Sequence, residues 1–260
     1  MKKCILVSLC LFAFSAGMAE AVLTDNFSGD LSQWNVSSDS TNAQINVNSG
    51  NLNFTYATSS TSYISSSVVS KQSVDVSASD TITLTAQFMC PAANTSNWWA
   101  KTYSYFTLTP NSNGSAGNSI QFVTNMEDYA DGVYDMTFGV QNSAGTGWVK
   151  SYDDEIGSWD IANGKQYEIQ MGINRGTNTA FLSLYNLTDS VSVGSTSFVY
   201  SGFTESNSYY AMMKGQIKTT DATKSVATGF NVDSITVIPE PTTITLLSIS
   251  SLMLVLKRRK

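Results

Sequence analysis

The sequence predicts an all-β fold of two antiparallel sheets packed face to face, and three observations carry that expectation. Apolar and polar residues alternate in short bursts along most of the chain, Gly, Asn, Asp and Ser separate the bursts, and no comparable stretch sustains an apolar period of 3.6 residues. Strands that alternate in this way bury one face only, so two such sheets must cover each other with polar surfaces outward.

In chain order, the expected strands are "QINV" (44–47), "NLNFTY" (51–56), "TITLTAQF" (81–88), "YSYFTLT" (103–109), "SIQFVT" (119–124) and "VYDMTFGV" (133–140). They continue with "QYEIQMGI" (166–173), "TAFLSLYN" (179–186), "SFVYSGF" (197–203), "YYAMM" (209–213) and "FNVDSITV" (230–237). Turn signals at "NSG" (48–50), "NSNGS" (111–115), "SAGTG" (143–147) and "NRGTNT" (174–179) punctuate them. No internal repeat and no Pro-rich linker precedes Pro239, so residues 22–238 read as one domain. Trp34 is assigned to its core, and Cys90, closing the alternating run "TITLTAQFMC", is assigned to a buried strand position.

Composition excludes several chemistries. The 260 residues contain no His, which removes Ser-His-Asp and Cys-His catalysis and His-ligated zinc or iron. Cys4 and Cys10 fall in the leader, so the body keeps Cys90 alone and has no internal disulfide. With residues 1–21 and 239–260 set aside, 8 Lys and Arg stand against 18 Asp and Glu, a formal charge of −10. That balance argues against nucleic acid and anionic lipid as partners and is compatible with calcium.

The two ends carry targeting information. "MKKCILVSLCLFAFSAGMAEA" has basic Lys2 and Lys3, an apolar run from Cys4 to Phe14 and a small-residue Ala19-Glu20-Ala21 site. It reads as a secretory signal peptide for the Sec translocon and signal peptidase, removed before about Val22. At the far end, Pro239-Glu240-Pro241 precedes an apolar stretch, Thr242 to Leu256, and the basic stop Lys257, Arg258, Arg259 and Lys260. As a helix that stretch spans roughly 22 Å against a hydrocarbon core of about 30 Å, a marginal anchor, and the basic cluster keeps its end cytoplasmic. Motif, apolar stretch and basic tail together resemble a PEP-CTERM sorting signal. The resemblance implies recognition by an exosortase of Gram-negative bacteria and an association with exopolysaccharide. The expected route is an inner-membrane intermediate held by the C-terminal helix, then the cell surface or extracellular matrix.

The body resembles the concanavalin A-like jelly roll of lectins, LamG-type modules and some glucanases. "TDNFSGDLSQWNV" is similar to the opening strand and Trp of that family, "SGNLNFTY" to the next strand, "GKQYEIQMGINRGTNTAFLSLYN" to a strand-turn-strand pair, and "GFNVDSITV" to the closing strand. The resemblance implies a fold, with the calcium use and sugar binding frequent in the family as expectations.

Candidate site residues follow from sugar chemistry, because aromatic rings stack on the C–H faces of sugars while amides and carboxylates take their hydroxyls. Trp98, Trp99, Trp148, Tyr152 and Trp159 are the expected carbohydrate-binding aromatics, weighed against the simpler role of filling the core. Asp153, Asp154 and Glu155 are the expected calcium ligands, weighed against a solvated acidic turn, and "NMEDYADG" offers Glu127, Asp128 and Asp131 in a second such segment. A glycosidase needs two carboxyl groups flanking the scissile bond. The Glu-x-Asp-x-Glu strand of the glucanase branch is missing, Glu127-Asp128 and Asp154-Glu155 are adjacent pairs that a strand would split between its faces, and Glu168 has no partner two residues away. No catalytic residue is assigned. The expected function is a non-catalytic, polysaccharide-binding or matrix-organising surface protein; the alternatives are a carbohydrate-active hydrolase or lyase, and a structural or adhesive protein with no glycan ligand.

Overall fold

A computed structural model describes residues 22–76, 80–89, 100–126, 133–153, 159, 161–162, 164–202 and 206–240. They form two antiparallel sheets. The eight-stranded sheet runs in the order β15 (Val191–Val199), β14 (Thr179–Asn186), β13 (Gln166–Asn174), β7 (Thr81–Met89), β17 (Val226–Glu240), β4 (Asn51–Thr58) and β3 (Ala43–Asn48), with β1 (Leu23–Asp25) also beside β17. The nine-stranded sheet runs in the order β11 (Trp148–Asp153), β10 (Val133–Gln141), β9 (Ile120–Met126), β8 (Ala100–Thr109), β16 (Ser208–Thr219), β5 (Ile64–Ser70) and β2 (Trp34–Ser38). Two short strands flank it, β12 (Ile161–Ala162) beside β10 and β6 (Val74–Asp75) beside β16.

The alternation in the sequence sets the inside of the sandwich. Along β7, Ile82, Leu84, Ala86 and Phe88 are fully buried, and on the facing sheet Phe106, Leu108, Ile120, Phe122, Phe138 and Val140 are too. Rings interlock across the gap: Phe230 stacks on Phe54 at 4.3 Å and meets Phe106 edge-on at 6.1 Å, while Phe88 lies 5.0 Å from Phe106 and 5.9 Å from Tyr167. Such aromatic pairs add stabilisation of about 1 kcal/mol each to the larger benefit of area burial. Gly215 of β16 faces inward, and a Cβ there would lie 2.1 Å from the Tyr56 hydroxyl. Its absence lets Tyr56 cross from one sheet to bond Ser66 Oγ of the other at 2.8 Å.

The opening segment folds around one carboxylate. Asp25 accepts hydrogen bonds from the Phe27 backbone N–H at 2.7 Å and from Trp34 Nε1 at 2.7 Å, so the indole is buried with its N–H satisfied. Trp34 is in the core, as expected.

Four differences from the expected strands are informative. β1, β2, β5, β6, β11 and β12 are additional to the eleven expected runs. The strand expected at 197–203 runs instead over Val191–Val199, as an exposed edge. β17 continues through Pro239 and Glu240, opposite Ile82 and Thr81, two residues past the domain boundary placed at 238. Pro239 is tolerated because the pairing of β4 ends at Val232 and that of β1 at Val237, so that among the described residues no strand pairs with its other side. Finally, no helix among the described residues is long and apolar enough to cross a membrane. The leader at 1–21, the 242–256 stretch, and Cys90 lie outside the described residues.

Candidate functional site

The outer face of the nine-stranded sheet carries a groove of about 630 Å³. Register places its side chains in rows. Gln216, Tyr103 and Asn125 lie side by side on β16, β8 and β9; Lys214, Tyr105, Val123 and Thr137 form the next row, reaching β10; Met212, Thr107, Gln121 and Gly139 form the third. The neighbouring positions Thr102, Ser104, Phe106 and Leu108 are buried toward the other sheet, so strand alternation turns Tyr103 and Tyr105 outward together.

The two phenol rings stack with centroids 6.2 Å apart and planes inclined by 26°. Tyr63 meets Tyr103 edge-on at 5.6 Å and extends the aromatic surface. Tyr105 donates its hydroxyl hydrogen to Gln216 Oε1 at 2.8 Å, which leaves the Gln216 amide N–H groups for another acceptor. Burial, with a smaller contribution from Tyr63, pushes the Tyr105 phenol well above its ordinary value of 10.0, so it stays a neutral donor. Gln141 Nε2 donates to Gln121 Oε1 at 3.2 Å and fixes a second pair of amides at the groove's end.

Loops at that end form a rim. Gly114 has φ +74°, and a Cβ there would come within 2.6 Å of Val69 Cγ2 and 3.1 Å of Met212 Sδ. Glycine therefore lets the 110–118 loop fold back over these two residues, which explains why they are buried although they point outward. Asn111 Nδ2 ties the loop by donating to Ser115 O at 3.1 Å and Gly117 O at 2.8 Å. The facing 142–147 loop is held against it: Asn118 N donates to Asn142 O at 3.1 Å, and a Cβ on Gly145 would lie 2.9 Å from Gly117 N. Both loops coincide with turn signals at 111–115 and 143–147.

The expected site residues distribute unevenly around this groove. Trp148 opens β11 opposite Gln141, lines the groove and is 38% exposed. Tyr152 and Asp153 sit on β11 opposite Phe138 and Thr137. Trp98, Trp99, Asp154 and Glu155 lie outside the described residues, as do Glu127, Asp128 and Asp131. Trp159 corrects the expectation. It is buried in the core, where its indole occupies the space that a Cβ on Gly194 of β15 would take, 2.4 Å from its ring atoms. Its role is to seal the sandwich at an edge, and no face of it is free for a sugar. Pro239 and Glu240 are strand residues of β17, while Pro241, Lys257, Arg258, Arg259 and Lys260 lie outside the described residues. No group of three or more His, Cys, Asp or Glu side chains among the described residues is arranged to hold a metal. Glu168 lies on the far sheet, where it accepts from Gln87 Nε2 at 2.9 Å.

Tyr103, Tyr105, Lys214 and Gln216 went unassigned in the sequence, although a signal existed. "YSYF" spaces two tyrosines at i and i+2 while Phe106 and Leu108 claim the opposite parity, so both rings had to face away from the core. A smaller cavity of about 190 Å³ beside Leu23, Gln72 and Val74 has no aromatic ring in its wall and is a poorer candidate.

No protein-family model matches this sequence, and no curated protein does. Solved structures do share the architecture. Winged bean acidic lectin, complexed with methyl-α-D-galactose, superimposes with a TM-score of 0.59 at 11% identity, covering 85% of this chain and 98% of the lectin. Arcelin-5, a lectin-like defence protein of Phaseolus vulgaris, gives 0.56 at 13% identity, covering 86% and 99%. The fold is a lectin-like jelly roll. The CBM2 module of an evolved Dit protein from Lactobacillus casei BL23 phage J-1 gives a TM-score of 0.60 at 8% identity over 86% of this chain and 97% of the module. At these identities the likeness establishes the jelly roll and leaves its use to be argued from the groove.

Proposed function

We propose that this protein is an exported, non-catalytic polysaccharide-binding module of the cell surface or extracellular matrix, and that the glycan lies in the groove on the nine-stranded sheet. The observation that carries the reading is the side-by-side pair Tyr103 and Tyr105 with the Gln216 amide bonded between the strands. Neighbouring rings offer stacking surfaces to successive sugar units, and the amides of Gln216, Asn125 and Gln121 offer donors and acceptors to their hydroxyls. Among the lining residues whose side chains are described there is no carboxylate, whereas hydrolysis of a glycosidic bond requires a pair. Two solved structures of similar fold are lectin UEA-II complexed with galactose and a Bauhinia forficata lectin in complex with GalNAc, which agrees with this use of the fold.

The sorting part of the proposal rests on the chain's ends. The Sec translocon and signal peptidase process the leader, the C-terminal apolar stretch holds an inner-membrane intermediate, and an exosortase acts at the Pro239-Glu240-Pro241 segment. Intact mass from cells with and without exosortase tests it: the expected product lacks the leader and the basic tail only when exosortase is present. Retention of Lys257–Lys260 in both backgrounds overturns the sorting step.

Affinity electrophoresis through gels containing neutral and acidic polysaccharides tests the groove. The wild type should be retarded, Tyr105→Ala should migrate freely while retaining its fold by circular dichroism, and Gln170→Ala on the far sheet should behave as wild type. Equal retardation of Tyr105→Ala and wild type overturns the assignment of the groove.

A further inference from the structure

Lys214 is out of keeping with the chain around it. It stands on β16 in the centre of the nine-stranded sheet, between Tyr105 on β8 and Ser67 on β5, with Nζ 5.8 Å from the Tyr105 ring centroid. The side chain is half-buried, and no carboxylate among the described residues pairs with it. The acid whose field reaches it, Asp39, spends its carboxylate on Ser65, accepting from the backbone N–H at 2.7 Å and from Oγ at 2.8 Å. Burial lowers the ammonium's pKa, with Asp39 opposing, so the site bears a desolvation cost that Asp39 offsets only in part.

Two more cations share this face. Lys218 follows Lys214 by four residues on β16 and so points to the same side, and its register partner across the strands is Lys101 of β8. Lys218 Nζ lies over the Tyr63 ring at 4.3 Å. Three of the eight Lys and Arg of a body with formal charge −10 therefore fall on two adjacent strands of one face, in line with the stacked tyrosines. The acids at outward positions of the same face stand on other strands: Asp39 beside Ser65, Asp75 opposite Ser208, Asp135 opposite Asn125 and Asp153 opposite Thr137. On a strand, four residues cover about 13 Å, so Lys214 and Lys218 are spaced for charges on separate units of an extended chain rather than for one ion.

We infer that the polysaccharide accepted by the groove is anionic, with its acidic groups meeting Lys214 in the groove and Lys218 beyond it. The inference rests on the groove being the glycan site. Stacking on Tyr103 and Tyr105 supplies contact with any pyranose; the lysines select chains bearing a carboxylate or another anionic substituent. A nucleic acid would also carry anions, but three cations on a net acidic body release few counterions, and the flat pair of phenols backed by amides suits sugar faces and hydroxyls.

The test uses polymers differing only in charge. The secreted protein is titrated with polygalacturonate, with its fully methyl-esterified form, with dextran and dextran sulfate, and with a single-stranded DNA oligomer. The expected result is binding to polygalacturonate at least about tenfold tighter than to the ester at low salt, declining as salt rises. Lys214→Gln should lose most of that preference while keeping the weaker affinity for the ester, Lys218→Gln should lose part of it, and Tyr105→Ala should lose both affinities. A response to dextran sulfate but not polygalacturonate assigns the anion as sulfate and supports the inference. Equal affinity for acid and ester, an unchanged preference in folded Lys214→Gln and Lys218→Gln, or tighter binding of DNA overturns it while leaving the groove reading intact. Binding that survives Tyr105→Ala, or no binding to any polysaccharide, overturns both.

Discussion

The two outer faces of the sandwich are built by one rule and furnished differently. On the eight-stranded sheet the outward positions of β7 are Thr81, Thr83, Thr85 and Gln87, β13 contributes Glu168 and Gln170 beside them, and β4 adds Asn51, Asn53 and Thr55. On the nine-stranded sheet the outward positions are Tyr63, Tyr103, Tyr105, Lys214, Gln216 and Lys218, under a rim of two interlocked loops. Both faces satisfy the alternation that folds the chain, since Thr and Tyr are equally acceptable opposite a buried row. Folding leaves these positions free, and the binding surface is written in them.

The largest effect tests what the faces share. Phe230, stacked on Phe54 and edge-on to Phe106, joins the sheets. Phe230→Ala should cost about 3–5 kcal/mol in urea denaturation, and glycan binding should fall only in step with the unfolded fraction. A loss of binding at unchanged stability would mean that the core shapes the groove directly.

Alkaline pH comes next. Burial, opposed by Arg175, pushes the Tyr209 phenol from its ordinary 10.0 up to about 12, and burial also raises Tyr56 and Tyr105. A phenol held neutral in the fold contributes stability that is fully present below the unfolded value and is lost as pH rises through the folded one. Between pH 10 and 12 the fold should therefore lose on the order of 2–3 kcal/mol through Tyr209 alone. Urea midpoints across that range should fall steeply in wild type and less steeply in Tyr209→Phe.

The smallest effect in energy separates the faces most sharply. Tyr103→Ala should weaken polysaccharide binding by about tenfold, roughly 1.4 kcal/mol, while Gln170→Ala on the other face changes it less than twofold. Calorimetric titration reads both, and equal losses would erase the distinction between the faces.

Ten strands were legible in place because their buried rows are mainly apolar, as in Ile82, Leu84, Ala86 and Phe88. β5 was not, because its inward positions include Ser66 and Ser70, buried at 3% and 1%. Each hydroxyl is satisfied by a partner distant in sequence: Ser66 by Tyr56, and Ser70 by the Ala211 backbone N–H, for which it accepts at 3.1 Å. A pattern of apolar letters cannot show a hydrogen bond across the sandwich. β15 was placed six residues late for a related reason, since its inward Gly194 is filled by Trp159 arriving from another segment. The same blindness separated the site into Trp148, which was singled out for being a Trp, and Tyr103 and Tyr105, which were counted only as strand residues.

The position of β17 bears on how the molecule is made. It is the last strand among the described residues, yet it lies between β7 on one side and β4 and β1 on the other. Synthesis delivers β4 and β7 early, and each keeps an open hydrogen-bonding edge until residues 226–240 arrive to join them. Open edges of this kind recruit other chains. A nascent copy therefore remains two unzipped half-sheets until its final strand is released, and premature termination before Val226 yields a sticky intermediate instead of a smaller version of the fold.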